Sequence, residues 1–290
     1  MTRTKATLTG SVAIALWSLL ALFTVGSAPV PPFLLNTLTF SIGGLVGLVW
    51  IGSTGGFAQL RDVGWRVYLF GTVGLFGYHF LYFSALRLAP AAEAGLISYL
   101  WPLLIVVLSG LMPGERLTVL HVTGALLSFA GTALLVLGKG VNLGGGATLG
   151  FAFAGAAALT WAGYSVLSRR LGAVPTASVA AFCLGTAVLS ALCHLLLEQT
   201  VWPAAPAGWL SILALGLGPV GLAFYVWDLG VKKGDIQLLG TLSYAAPLLS
   251  TLALVGAGFA EASARIGMAA VLITAGAGLA AWASARARRV

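Results

Sequence analysis

The sequence contains one seven-residue motif twice, as Ser-Tyr-Leu-Trp-Pro-Leu-Leu at residues 98–104 and as Ser-Tyr-Ala-Ala-Pro-Leu-Leu at residues 243–249. The copies stand 145 residues apart in a chain of 290, so they occupy the same place in each half. Each copy puts a proline, Pro102 or Pro247, into the middle of a long apolar run. Proline inside a helix removes one backbone hydrogen bond and clashes with the carbonyl four residues earlier, here that of the motif's serine. The motif therefore predicts a helix broken at the same point of each half, with a free carbonyl beside a serine and a tyrosine.

The composition is that of a membrane-embedded chain. It is 59% hydrophobic and only 8% charged, with a mean hydropathy of +1.02. Apolar runs of about 20 residues, the length that crosses a bilayer, fill nearly all of the chain. The 39 glycines suit helices that pack closely through small residues. We therefore expect an all-α integral membrane protein with the lipid bilayer as its solvent.

In lipid, a broken helix survives only against protein or a water-filled cavity, because each free backbone group needs a partner. Interruptions at corresponding places in the two halves of a chain indicate a transport site between those halves. We therefore place a candidate site at the two motif copies, and we predict that Pro102 and Pro247 act as hinges.

Ten apolar segments are long enough to span a bilayer, and short connections with turn residues separate them, such as Pro113 with Gly114 and the glycines 144–146. Five spans per half is an odd number, so the second half enters the membrane from the opposite side. The halves, residues 1–145 and 146–290, are thus predicted to form an inverted repeat within one membrane domain. The predicted spans are 8–26, 31–52, 65–88, 91–111, 117–138, 147–168, 176–197, 207–230, 236–257 and 266–284.

The distribution of Lys and Arg orients the spans, because these residues concentrate on the cytoplasmic side. With the amino terminus in the cytoplasm, twelve of the 15 basic residues fall on the inner side, so both termini are predicted to be cytoplasmic. The net charge of +8 is spread over many loops, which indicates topology rather than a nucleic-acid partner. The three basic residues predicted on the outer side are Arg87, Lys139 and Arg265.

Three of the nine tryptophans, Trp17, Trp101 and Trp161, lie near mid-span, where the usual preference of Trp for membrane interfaces does not apply. Trp17 and Trp161 also match each other at an offset of 144 residues, a second sign of the repeat. A buried indole N–H needs a partner, so these rings either fill the core or line a cavity with water or substrate. We favour the cavity. The other six, including Trp227, are assigned to the interfaces.

The third span carries the most polar aromatic segment of the chain. Tyr78, His79 and Tyr82 share a helix face, because residues three and four apart are neighbours on a helix. His79 is the only ionisable residue near the midplane in the first half. It is either a neutral side chain bonded to a backbone carbonyl or a partner for a substrate carboxylate or a proton.

Charged side chains near the span ends have structural interpretations. Asp228 and Lys232 are four residues apart on one helix, where an ion pair is predicted. Glu115 and Asp235 are interpreted as loop or helix-end residues, and Arg169 as a membrane anchor.

Ten spans in an inverted repeat, a mid-span Trp in the first span of each half and a Pro in spans four and nine resemble the drug/metabolite transporter superfamily, in its EamA-type branch. The aromatic residues at 78–83 and 99–102 are most similar to the YddG-type aromatic amino acid exporters of bacteria. The resemblance covers the whole chain. It implies a bacterial inner-membrane protein that exports outward, with spans five and ten outside its cavity.

Several function classes are disfavoured by what the spans lack. No Lys or Arg lies mid-membrane to bind a phosphate, which argues against nucleotide sugars and sugar phosphates as substrates. No metal-ligand cluster, phosphate-binding loop or nucleophile elbow is visible, so we predict no enzyme activity, no cofactor and no metal. The remaining site is neutral and aromatic, and it suits a substrate with an apolar or aromatic body and a zwitterionic end.

The sequence thus predicts a monomeric exporter of aromatic and other apolar amino acids that works by alternating access, as facilitated diffusion or with weak proton coupling. Its central cavity is assigned to spans one, three, four, six, eight and nine. The alternatives are a broad-specificity drug or metabolite exporter of the same superfamily and a membrane scaffold that transports nothing. The candidate substrate-binding residues are Trp17, Tyr78, His79, Tyr82, Ser98, Tyr99, Trp101, Trp161, Ser243 and Tyr244.

Overall fold

The computed structural model describes the chain in three stretches, residues 1–137, 147–256 and 261–287, and within them it is helical and contains no strand. The α-helices are α1 Arg3–Trp17, α2 Leu20–Gly26, α3 Pro32–Ser53, α4 Trp65–Leu88, α5 Ala91–Ser98, α6 Trp101–Ser109, α7 Val119–Val136, α8 Thr148–Arg170, α9 Val179–Leu197, α10 Pro206–Leu217, α11 Ala223–Lys233, α12 Ile236–Leu242, α13 Ala245–Gly256 and α14 Ala264–Ala287. Some predicted features lie outside the described residues, namely the glycine connection 144–146, Lys139, and two of the twelve basic residues counted on the inner side, Arg288 and Arg289.

Nine helical segments in the described part of the chain are long and apolar enough to cross a membrane. A further apolar segment, Glu93–Ser109, which contains the break between α5 and α6, is shorter than these nine. The nine long segments are Arg3–Gly26, Pro32–Ser53, Trp65–Leu88, Val119–Val136, Thr148–Arg170, Thr176–Leu197, Pro206–Lys233, Ile236–Gly256 and Ala264–Ala287.

The first copy of the motif breaks its helix, as predicted. α5 ends at Ser98 and α6 begins at Trp101, so Pro102 occupies the first turn of a new helix. At that position the missing N–H of proline loses no helical hydrogen bond, and its fixed backbone angle favours a helix start. The proline therefore begins a helix here instead of distorting the middle of one.

The second copy also breaks its helix, between α12 and α13. The predicted free carbonyl of Ser243 is wrong, because this carbonyl accepts a hydrogen bond from the N–H of Ala246 at 3.1 Å. This bond runs from residue i+3 to residue i, as in a 3₁₀ turn. Such turns are a common way to satisfy the carbonyl groups at a helix end. Pro247 follows in the first turn of α13.

Two further interruptions were not predicted. Arg3–Gly26 is divided into α1 and α2 directly after Trp17. A π-helical stretch, Gly218–Leu222, separates α10 from α11. π-Helical turns are rare and are frequently found at functional sites. Both interruptions border the cavity described below.

Helices α7 and α14 pack against each other through small residues. A Cβ atom at Gly124 would lie 2.6 Å from the carbonyl oxygen of Gly276, so the two backbones can approach this closely only with glycine. The hydroxyl of Ser128 adds a hydrogen bond to the Ile273 carbonyl at 3.2 Å. Such packing is typical of helix pairs in membranes. Neither helix contributes to the cavity.

The first and last described helices bring their ends to one face of the bundle. Arg3 of α1 and Ala287 of α14 line the same small pocket of about 100 Å³, together with Arg116 and Asp235. We call this side the termini face and the opposite side the far face.

The predicted ion pair of Asp228 and Lys232 is confirmed, with the carboxylate and the ammonium 2.9 Å apart.

Candidate functional site

A cavity of about 130 Å³ lies where the interrupted helices meet. Its walls come from both sides of the break after Trp17, from both helices of the first motif copy, and from the π-helical stretch and the start of α11. The lining residues are Trp17, Leu20, Tyr78, His79, Tyr82, Gly95, Ser98, Tyr99, Trp101, Trp161, Pro219, Val220, Phe224 and Ala246.

Three indole rings from three different helices meet edge to face at the cavity. The ring centroids of Trp17 and Trp101 are 6.2 Å apart, those of Trp17 and Trp161 5.8 Å, and those of Trp101 and Trp161 6.2 Å. Edge-to-face pairs of this kind add to the energy of burial, because the positive edge of one ring meets the negative face of another. The three rings therefore form a packed aromatic wall.

The indole N–H of Trp17 is bonded to protein. Its Nε1 donates to the carbonyl oxygen of Pro219 at 3.1 Å. Pro219 lies in the π-helical stretch, where the wider turn disrupts the ordinary helical bonding pattern. The sequence interpretation left this N–H to water or substrate, whereas the structure gives it a backbone partner. The bond ties α1 to the Gly218–Leu222 stretch at the cavity wall.

The assignment of Trp227 to the membrane interface is wrong. Its side chain is 1% exposed, and its indole N–H donates to the Ser165 hydroxyl at 3.1 Å. Its ring lies 5.0 Å from that of Trp17, so it supports the three-indole wall. The reason is that α11 packs against α1 and α8, which buries this end of the span in protein rather than at the lipid headgroups.

The polar aromatic side chains of α4 form a second wall. Tyr78 and Tyr82 stack with their rings nearly parallel and 5.9 Å apart, and Tyr78 also lies 5.4 Å from Trp161. The nitrogen Nδ1 of His79 is 2.7 Å from the Leu75 carbonyl oxygen. A carbonyl only accepts, so Nδ1 carries a proton, and in the neutral form of the ring Nε2 is then an acceptor.

Hydroxyl groups supply the other polar atoms of the cavity. The Oγ of Ser98 is buried and makes no hydrogen bond of normal geometry within the described residues, although the Tyr78 hydroxyl approaches it. Tyr82 and Tyr99 line the same cavity. A buried hydroxyl without a partner is unfavourable, so Ser98 is suited to receive one from a bound molecule.

Eight of the ten side chains predicted from the sequence line the cavity, and two do not. The hydroxyl of Ser243 donates to the Leu239 carbonyl at 2.8 Å, and that of Tyr244 accepts from the Leu103 N–H at 3.1 Å. Both side chains are fully buried and engaged within the protein. From the second motif copy only Ala246 reaches the cavity.

Sequence reasoning missed the wall formed by the π-helical stretch and Phe224. The ring of Phe224 lies 6.2 Å from Trp17 and stacks on Phe40 at 5.4 Å. A Gly-Pro pair at Gly218 and Pro219 inside an apolar run was the available signal for the stretch. Phe224 carried no such signal, since the chain contains 14 phenylalanines.

The described residues that line the cavity include no Lys, Arg, Asp or Glu. Among the described lining residues His79 is the sole ionisable side chain apart from the tyrosines. The described part of the chain also contains no group of three His, Cys, Asp or Glu side chains placed to hold a metal ion. Chemically, the arrangement offers aromatic faces, one imidazole acceptor and a few hydroxyls.

Comparison with known proteins agrees with this architecture. The sequence profile of the EamA-like transporter family matches the chain over residues 4–137 and again over residues 148–282. The aromatic amino acid exporter YddG of Ancylobacter novellus is 55% identical over 283 residues, which is 97% of this chain and 98% of that protein. The proteins of the same name from Salmonella typhimurium and Escherichia coli are 28% and 26% identical, each across 87% of this chain and 88% of the relative.

A solved crystal structure of a protein 54% identical in sequence superposes on this fold with a TM-score of 0.94, over 98% of this chain and 99% of the other. The two profile matches span most of the sequence, and the apolar helices cross a membrane many times. The chain therefore belongs to the EamA-like transporter family and is a multi-pass membrane protein.

Proposed function

We propose that this protein exports aromatic and other apolar amino acids from the cytoplasm through the cavity described above. The observation that carries the proposal is the uncharged wall of three indoles, Trp17, Trp101 and Trp161, facing the hydroxyls of α4 and α5. Aromatic faces attract both an aromatic side chain and an ammonium group. The names of the three relatives support the same substrate class.

The proposed topology is ten spans in a five-plus-five inverted repeat, with halves 1–145 and 146–290. Three observations support it. The segment Glu93–Ser109 is a shorter apolar helix in addition to the nine long ones, and the proposal takes it as the tenth crossing. Both ends of the described chain lie on the termini face, which requires an even number of crossings. The family profile matches the chain twice, once in each half.

The proposed location is the bacterial inner membrane, with the termini face toward the cytoplasm. The support is the excess of basic residues on the side that contains the termini, since such residues concentrate on the cytoplasmic side. Export then runs from the termini face to the far face.

The substrate's two charged groups meet different partners in this scheme. Because Nδ1 of His79 is bonded to the Leu75 carbonyl, the neutral ring offers Nε2 as an acceptor for the substrate ammonium. From the sequence, His79 was considered as a partner for the substrate carboxylate, and here it is assigned to the ammonium instead. The carboxylate is assigned to the hydroxyls of Ser98, Tyr82 and Tyr99, which donate.

The proposed transport is facilitated diffusion, with at most weak proton coupling. None of the described lining residues carries a carboxylate that would have to exchange a proton in every cycle. The cavity is also smaller than the roughly 300–1,000 Å³ typical of small-molecule sites, so an indole substrate requires it to widen. The breaks at Pro102 and Pro247 are the proposed hinges for that movement.

The test is uptake of labelled tryptophan into proteoliposomes, with and without a pH gradient. The double variant His79→Ala/Trp101→Ala should lose about tenfold or more of the rate, as expected for removal of a central aromatic contact. The matched control is Trp202→Ala, because this indole is half exposed and outside the cavity. Equal rates for wild type and the double variant would overturn the site, and the absence of any amino acid flux would overturn the function.

A further inference from the structure

One buried carboxylate ties together distant parts of the termini face. Glu115 lies in the connection between α6 and α7, and its side chain is 4% exposed. Its Oε2 is 3.0 Å from a guanidinium nitrogen of Arg3, and its Oε1 is paired with Arg169. Arg3 also lies 3.6 Å from Asp235, whose side chain is 2% exposed. The four side chains form one connected ionic cluster.

The cluster joins the two halves of the chain. Arg3 begins α1, whereas Arg169 is at the end of α8. Arg169 also donates to the carbonyl oxygens of Val231 at 2.8 Å and Gly234 at 3.0 Å, where α11 ends. The termini-face ends of α1, α8 and α11 and the connection before α7 are thereby held at one point. Movement of any of these ends must break a charged contact.

Closure of this face continues from the cluster toward the cavity along α1. The Thr7 hydroxyl accepts the N–H of Asp235 at 2.8 Å. Farther along, Gly10 packs so tightly on Gly230 that a Cβ on Gly10 would lie 2.9 Å from the Gly230 Cα. From Arg3 to the cavity at Trp17 the helix rises about 21 Å, and these contacts with α11 and α12 follow one another over that distance.

The cavity extends in the other direction, toward the far face. Leu20, which follows Trp17 along the span Arg3–Gly26 in the direction of the far face, also lines the cavity. Tyr82, in the far-face half of α4, and Gly95, in α5, also line it. The cavity is therefore separated from the termini face by packed helices and by the ionic cluster.

The far face has its own buried carboxylate, but its contacts differ. Glu198 accepts the N–H groups of Phe33 and Leu34 at 3.0–3.1 Å and pairs with Arg87 at 2.7 Å. These contacts join the end of α9 to α3 and α4, which already pack directly on α9. The far-face cluster thus holds α3, α4 and α9 together and includes no residue of α1, α8 or α11, whose ends the termini-face cluster holds.

Ionic contacts suit a closure that has to be reversible. A buried ion pair adds little net stability, because the desolvation of both charges offsets most of their attraction. When such a pair opens to water, each charge regains its hydration, so the open state is accessible. An apolar seam of equal area would instead expose hydrophobic surface on opening.

We propose that Glu115, held by Arg3 and Arg169, is a latch that keeps the termini-face entrance to the cavity closed and sets the fraction of protein open to that face. Its role in admitting substrate rests on the proposed export function. The position of the closed–open equilibrium does not depend on that function, because it is a property of the protein without substrate.

The experiment measures from which face the cavity can be reached. A single cysteine, Ser98→Cys, is introduced into the lining on a background with Cys183→Ala and Cys193→Ala. The protein is reconstituted in oriented vesicles and labelled with a membrane-impermeant maleimide applied to one face at a time. Glu115→Gln should increase the rate of labelling from the termini face by about tenfold, the effect expected when one charged hydrogen bond is lost.

Three further variants separate the latch from general loosening. Glu115→Asp retains the charge and should keep the labelling from the termini face close to the background rate. Arg3→Gln should increase that labelling as Glu115→Gln does. Glu198→Gln removes an equally buried carboxylate from the far face and should leave termini-face labelling at the background rate. Melting temperatures in detergent establish that each variant is folded.

The latch is overturned if Glu115→Gln and Arg3→Gln are labelled from the termini face at the background rate, or if Glu198→Gln increases that labelling equally. Failure of the proposed function has a different signature. In that case the wild-type chain moves no tryptophan, while Glu115→Gln still changes the face from which Ser98→Cys is labelled.

Discussion

The hydroxyl of Tyr244 accepts a hydrogen bond from the backbone N–H of Leu103 at 3.1 Å. Each residue comes from one copy of the repeated motif, so the two helix breaks are joined directly. Leu103 follows Pro102 in the first turn of α6, where N–H groups have no acceptor within their own helix. The second copy thus supplies the acceptor that the break in the first copy requires, which explains why its tyrosine faces protein and not the cavity.

Removing this acceptor should destabilise the fold. In Tyr244→Phe the N–H of Leu103 becomes a buried donor without a partner, which typically costs about 1–3 kcal/mol. We expect a lower melting temperature in detergent, followed by intrinsic fluorescence. The control is Tyr82→Phe, whose hydroxyl lines the cavity and has no protein hydrogen bond among the described residues, and whose melting temperature should stay near that of wild type. Equal melting temperatures for the two variants would contradict this role of Tyr244.

The close approach of α1 and α11 should not tolerate a methyl group. In Gly230→Ala the new Cβ would lie 2.6 Å from the Cα of Gly10, so one backbone must move. Overpacking of this kind typically costs about 1–3 kcal/mol. Gly163→Ala is the matched control, because its Cβ would meet no atom within 4 Å and alanine favours a helix. We expect thermal unfolding to occur at a lower temperature in Gly230→Ala alone, and the opposite order would show that this contact is not tight.

The sequence predicted those features that depend on local covalent chemistry. A proline cannot continue a helix interior, so the positions of Pro102 and Pro247 were enough to indicate both helix breaks. An indole at mid-span is unusual enough to mark Trp17, Trp101 and Trp161, and all three line the cavity.

Features that depend on distant partners were not predictable in this way. A tyrosine beside a helix break has the same local pattern whether it faces a cavity or another helix, and only the packing of α6 decides between them for Tyr244. Glu115 was interpreted as an ordinary loop residue because its partners Arg3 and Arg169 are 112 and 54 positions away. The cluster exists only once the two halves are assembled.

The lone hydroxyl of Ser98 should separate stability from transport. Ser98→Ala removes a buried polar atom that makes no hydrogen bond of normal geometry within the described residues, so the melting temperature should stay the same or rise. The rate of tryptophan uptake should fall, because the substrate loses a donor. Ser165→Ala is the counterpart, since its hydroxyl accepts the Trp227 N–H at 3.1 Å and its loss should lower the melting temperature. A Ser98→Ala protein that is less stable than Ser165→Ala would contradict the proposed role.

The orientation of His79 leads to a prediction about which part of the substrate it recognises. With Nδ1 bonded to the Leu75 carbonyl, Nε2 is an acceptor and suits an ammonium group. His79→Phe keeps an aromatic ring against Phe40, which lies 5.0 Å away, but removes that acceptor. Competition against labelled tryptophan should therefore show weaker inhibition by amino acids, while inhibition by indole, which has no ammonium, is unchanged. The control is His121→Asn, because His121 bonds to Thr118 and Ser284 away from the cavity. If His79→Phe weakens inhibition by indole and by tryptophan equally, then His79 shapes the aromatic wall and does not bind the ammonium.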